Sequence, residues 1–181
     1  MPIRLFHAYW YLLAVILGTA FFFTPAAVGA VQDSQLPLAP PEGPVILVVA
    51  GNIARVNIED EAHFDELMLQ ALPTHTLHTH TVVTDGTHRF DGVLMRDLLS
   101  HVGAQGETVR ALALNSYSLD IPVRDFHEFD VLLATHMDGQ RLRSHNKGPL
   151  WIIYPRDQHR KLQDIRYDYR WVWQLHRLTV Q

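Results

Sequence analysis

Apolar and polar positions along the chain fall into short blocks, most of them with the period of a strand. Val45-Ile46-Leu47-Val48-Val49-Ala50 is a continuous β-branched and apolar run closed by Gly51-Asn52, the pattern of a strand buried on both faces that ends in a turn. Phe64, Leu67, Met68, Ala71 and Leu72 recur at helical spacing behind Asp60 or Asp65 as a cap, and Pro73 ends the segment, so a short amphipathic helix is expected. Thr76 to Val83 and His88 to Val93 flank Thr84-Asp85-Gly86-Thr87, and an Asp-Gly pair between strand-like runs predicts a hairpin. Leu94, Leu98, Leu99 and Val102 give a second short helix, which Gly103 closes. Further strands are expected over 109–114, 119–123, 131–137, 151–154 and 171–180, with a second Asp-Gly turn at Asp138-Gly139. Many short strands with two or three short helices make a mixed, mainly-β α+β domain, not alternating βαβ units.

The first thirty residues read differently. Arg4 precedes the apolar run Leu12 to Phe23, followed by Pro25 and the small residues Val28-Gly29-Ala30. A basic start, an apolar stretch and small residues before a cut form a secretory signal, with cleavage expected after Ala30. The rival is an uncleaved anchor, since Ala8 to Ala30 reaches the roughly 20 residues a spanning helix needs. Pro25 and the small residues would interrupt a span and fit a processing site, which favours cleavage and a periplasmic or secreted protein with no membrane segment after processing. Residues 31–43, with Pro37, Pro40, Pro41 and Gly43, read as a Pro-rich tether, and the domain is expected over 44–181.

With 181 residues, 48% hydrophobic and 19% charged, the chain is long enough for one domain with a sizeable core. Removing residues 1–30 takes only Arg4 from the charged residues, so 15 basic against 19 acidic becomes 14 against 19, a net charge of −5. That balance offers no electrostatic footprint for nucleic acid. The chain contains no cysteine, so an exported form has no disulfide and is held by its core alone.

Four phrases occur in order: Phe90-Asp91-Gly92-Val93-Leu94-Met95-Arg96-Asp97-Leu98-Leu99, then Asn115-Ser116-Tyr117-Ser118-Leu119-Asp120-Ile121-Pro122, then Asp138-Gly139-Gln140-Arg141-Leu142, then Lys147-Gly148-Pro149-Leu150-Trp151-Ile152-Ile153-Tyr154-Pro155. Together they resemble the oxidoreductase molybdopterin-binding domain of the sulfite oxidase family, from about Pro44 to Val180. The resemblance implies that family's fold and a pterin-molybdenum cofactor. It places the family's ligand cysteine about ten residues ahead of Phe90, near His80, where no thiolate is present. An imidazole is a poorer partner than a soft thiolate for molybdenum in this setting. Ser116, Tyr117 and Ser118 resemble the segment that lines the pterin cleft. Lys147, and with less support Arg156, stand where a basic group would meet the cofactor's phosphate; for both the plainer alternative is a solvated loop charge.

Twelve histidines are present, six of them between His63 and His101. In His75-Thr76-Leu77-His78-Thr79-His80 a strand puts His78 and His80 on one face and His75 on the other, with His88 a candidate to join across the hairpin. Imidazoles so placed suit zinc or copper, and the alternative is an exposed Thr- and His-rich face without a ligand. No His-X-X-X-His helix, Gly-X-Ser-X-Gly elbow or phosphate loop is present, and no catalytic residue is assigned.

Three readings follow. The leading one is an exported, oxidoreductase-like member of the family that binds a small ligand or another exported protein and is not a working molybdenum enzyme. The second is an active pterin-molybdenum oxidoreductase with a non-cysteine ligand such as His80. The third is a copper- or zinc-binding protein using His75, His78 and His80.

Overall fold

The computed structural model describes residues 37–181. The expected signal segment, 1–30, and the start of the tether, 31–36, lie outside the described residues. In chain order the strands are β1 (Leu47–Gly51), β2 (Ala62–Phe64), β3 (Thr74–His80), β4 (Thr87–Leu94), β5 (Thr108–Ala113), β6 (Ser118–Pro122), β7 (Leu132–Met137), β8 (Gln140–Arg141), β9 (Trp151–Ile153) and β10 (Leu175–Val180). The helices are α1 (Glu66–Gln70), α2 (Met95–His101), α3 (Val123–Glu128) and α4 (Ile165–Asp168), with a 3-10 turn at Arg160–Gln163. The domain is α+β and mainly strand, as the period-2 blocks predict, although α3 and α4 bring the α-helices to four among the described residues.

The strands form two sheets. One runs β2-β1-β10-β5-β6, with β1 and β10 parallel and the other pairs antiparallel. The other runs β3-β4-β7-β8, and β9 also pairs with β7. Leu47, Phe64 and Leu178 from the first sheet and Phe90, Leu133 and Ile152 from the second belong to one buried core.

Three departures from the expected elements have local causes. Ala62 and Phe64 pair with Val49 and Leu47 in β2, so the helix foreseen from Phe64 is shorter and starts at Glu66. Asp65 caps it: one carboxylate oxygen accepts the Met68 N–H at 2.9 Å, and the other accepts the N–H groups of Glu42 and Gly43 at 2.8 Å each. Those bonds, with Leu38 buried at 6% exposure, lay the later part of the expected tether against the domain. Finally, β10 begins at Leu175 and not at Trp171, because Gln174 adopts a positive φ of 51°, which breaks the extended run.

One turn and one bulge within the family phrases follow from backbone chemistry. Asp138 and Gly139 have φ of 51° and 76°, the paired positive values of a tight hairpin turn between β7 and β8. Gly92 sits at a bulge where β4 meets β7, and a Cβ there would lie 2.1 Å from the Leu133 carbonyl oxygen. Only glycine lets these two backbones approach so closely.

Candidate functional site

A cleft of about 460 Å³ is lined from three stretches of chain. Val82 and Val83 come from the loop after β3; Ala113, Asn115 and Tyr117 from the β5–β6 turn; and Ile165, Asp168, Tyr169, Trp171 and Trp173 from the stretch between α4 and β10.

The loop exists because β3 stops at His80, three residues before the expected strand end. The Asp157 carboxylate accepts the His80 backbone N–H at 2.8 Å and lies 2.8 Å from His80 Nδ1, while the Asp157 N–H donates to the Thr79 hydroxyl at 3.3 Å. Beyond this clamp the Thr81 and Thr84 hydroxyls bond each other at 2.7 Å, leaving Val82 and Val83 about 40% exposed at the cleft. Partial burial works to raise the Asp157 carboxyl, but the bonds from His80 and the charge of Arg156 outweigh it and hold it below the usual range.

The turn and the aromatic wall are fixed by different contacts. Ser116 has a positive φ of 68°, and Asn115 accepts the Tyr117 N–H on its side-chain oxygen at 3.0 Å, an Asx turn. The Tyr117 hydroxyl then donates to the Tyr169 carbonyl at 3.0 Å, joining turn to wall. Behind the wall, Trp171 packs on Tyr154 with ring centroids 6.2 Å apart, and Trp173 on Trp151 at 6.4 Å. Fully buried Asp125 accepts from the Tyr154 hydroxyl at 3.0 Å and from Arg170, tying α3 to the chain entering the wall. Burial, reinforced by Asp125, pushes the Tyr154 phenol well above its ordinary range, so it stays a donor.

Residues 64–161 match the family described as oxidoreductase molybdopterin binding domain. The chain belongs to this family. No curated protein matches it. The matched stretch contains the four phrases, whereas Ile165 to Trp173, half the lining of the cleft, lies beyond it in sequence.

Of the residues expected to hold the family's cofactor, only Tyr117 lines the cleft. Ser116 forms the turn, and Ser118 opens β6 beside a neighbouring recess. Lys147 places its ammonium 5.8 Å from the Trp151 ring centroid, and Arg156 donates to Asp168 at 2.5 Å and to the Leu162 carbonyl at 3.3 Å. Neither basic group is among the residues that line the cleft. The site residues not foreseen from the sequence include Val82, Val83, Ile165, Asp168 and Tyr169; the signal for Tyr169 was the alternation of aromatic residues through Tyr167, Tyr169, Trp171 and Trp173.

The residues present do not fit a pterin-molybdenum cofactor. The chain has no cysteine, His80 is not part of the lining, and the one charged side chain in the lining is the carboxylate of Asp168. The buried indole N–H of Trp171, which has no acceptor among the described residues, offers a hydrogen-bond donor but no soft anionic ligand.

The histidines do not assemble either. His78 and His80 share an exposed face of β3, as the alternation predicts. His88, however, pairs with buried Thr79 in the register, so it lies on the opposite face and does not cross to them; it lies 2.6 Å from the Asp138 carboxylate. His75 is also on the other face and stands 3.4 Å from Asp97. Among the described residues no group of three or more His, Cys, Asp or Glu is placed to hold one ion, so the set His75, His78 and His80 is not a shared site.

Proposed function

We propose that this protein is an exported member of the molybdopterin-binding family that binds a small organic ligand in the aromatic cleft and does not work as a molybdenum oxidoreductase. The observation that carries the reading is the lining of that cleft: four aromatic rings and several aliphatic side chains beside the family's own Asn115 to Ser118 segment, without thiolate or cation. A pocket of a few hundred Å³, mostly apolar with a few placed polar groups, has the character of a small-molecule site. Binding there would draw on burial of apolar and aromatic surface, with Asn115 and Asp168 to orient the ligand.

The test is the content of protein made in cells with an intact cofactor supply. Far less than one molybdenum per chain, no pterin and no sulfite oxidation above background are expected. Near-stoichiometric molybdenum would overturn the reading in favour of an enzyme with a non-cysteine ligand, and His80→Ala would then show whether that imidazole holds the metal. Export rests on Arg4, the apolar run and Ala30. Mass measurement of the extracytoplasmic protein should give a chain beginning near Val31, and a full-length chain retained in the membrane would refute it.

A further inference from the structure

Exposed apolar surface on this domain is not scattered. Of the nine large hydrophobic residues that stand well exposed among the described residues, five (Val82, Val83, Tyr117, Ile165 and Tyr169) line the cleft. Such clustering marks a binding surface, whereas singly scattered apolar residues are ordinary.

Among the side chains that line that surface, the one charged group is an acid. Asp168 lines the cleft and its partner Arg156 does not. Two further cations, Arg166 and Arg170, line a neighbouring recess, where each is paired, with Asp164 and Asp125. A ligand in the cleft therefore meets the electron-rich rings of Tyr117, Tyr169, Trp171 and Trp173 and one carboxylate, and no positive side chain. Aromatic rings attract cations through their quadrupole, most strongly for Trp, and a quaternary ammonium in a nest of such rings is the recurring use of that attraction. An anion would lose its hydration and gain no ionic partner.

We propose that the ligand is an organic cation, a methylated ammonium group carried on an apolar or aromatic body, held by the four rings with Asp168 as its counter-charge. This rests on the cleft being the ligand site and names the class of ligand. The aliphatic residues Val82, Val83 and Ile165 would take the apolar body. Tyr117 and Trp173, held by the Tyr169 carbonyl and by Trp151, present rings that need little reordering when the cation enters.

The decisive comparison uses choline and its uncharged carbon isostere 3,3-dimethylbutan-1-ol, with benzyltrimethylammonium as a larger cation and benzoate as an anion, each titrated into the full mature chain by calorimetry and tryptophan fluorescence. Both cations should bind at least tenfold more tightly than the alcohol, and benzoate should not compete. Asp168→Asn should remove most of that preference while leaving the alcohol unchanged, and Trp173→Ala should weaken every probe that binds. The wild-type comparison stands on its own if Asp168→Asn folds poorly. Binding of the alcohol or benzoate as tight as that of the cations would overturn the cation assignment and leave the cleft as a ligand site. Failure of all four probes at millimolar concentration would overturn both.

Discussion

Arg156 donates a hydrogen bond to Asp168 at 2.5 Å, and of this pair only the carboxylate lines the cleft. The guanidinium, also bonded to the Leu162 carbonyl, anchors the acid from outside. Both side chains are about a quarter exposed, so the pair is neither fully screened by water nor fully desolvated. Arg156→Met should cost about 1 to 3 kcal/mol, the range for losing a hydrogen bond to a charged group. It should also raise affinity for a cationic probe, since the carboxylate loses its neutralising partner. Urea unfolding measures the first effect and titration the second; an unchanged midpoint would show that the pair contributes nothing to the fold.

Trp151 and Trp173 touch each other but do different work. Trp151 is fully buried and stacks edge-on against Phe90 at 5.6 Å, linking the two strands β9 and β4. Trp151→Ala should cost about 3 to 5 kcal/mol, as for other large core truncations. Trp173 is only partly buried and lines the cleft, so its truncation should cost about half as much, following the smaller apolar area withdrawn from water, and should act chiefly on ligand binding. Equal losses of stability at the two positions would contradict this division.

Asp164 caps α4, the helix that carries Asp168. Hydrogen bonds from the Arg166 side chain and backbone lower its pKa from 3.8 to about 2. A carboxyl with a depressed pKa in the folded chain stabilises the fold fully above its unfolded value, and the contribution is lost as the pH falls through the folded value. The loss from this residue should therefore lie between pH 3.8 and about 2. In thermal melts across that window, Asp164→Asn should show a shallower decline than the parent chain. Parallel decline of the two would locate the acid sensitivity elsewhere.

Gly92→Ala should be the most damaging single-methyl change in the chain's family phrases. The added Cβ would meet the Leu133 carbonyl oxygen at 2.1 Å, and backbone cannot swing aside as a flexible side chain can. A cost of about 3 kcal/mol, the upper part of the overpacking range, is expected from chemical denaturation. Gly86→Ala, where nothing lies within 4 Å but φ is +76°, separates the two causes: its cost measures the left-handed backbone alone, whereas the cost at Gly92 measures the clash.

Much of this architecture was legible in the sequence, and the failures have physical causes. The Asp138-Gly139 hairpin was readable because the turn demands two positive φ values that this pair tolerates. The strand β2 was not, because Phe64 satisfies both a period of two and the helical spacing of the residues that follow. The helix α3 hides because six residues whose buried positions are Asp125 and Phe126 give no apolar stripe to count. At the site, the family phrases led to Tyr117, but the other wall was taken for the start of the last strand. Its aromatic residues alternate as a strand's do, and only the backbone at Gln174 reveals that they are not one.

The two jaws of the cleft are not mounted alike. Trp173 lies two residues ahead of β10, the middle strand of its sheet, with β1 on one side and β5 on the other, and Ile152 reaches the same stretch through the Val172 carbonyl at 3.0 Å. Val82 and Val83 hang instead on a loop whose hydrogen bonds, between the Thr81 and Thr84 hydroxyls and from the His88 ring to the Asp85 carbonyl, stay within three residues. Moving the Trp173 end of the aromatic jaw would strain the middle strand that follows it, whereas moving the valine jaw disturbs little beyond its own turn. A guest would therefore meet one jaw anchored ahead of a central strand and one tied only to itself, so that the larger share of any ordering entropy of binding falls on one six-residue loop.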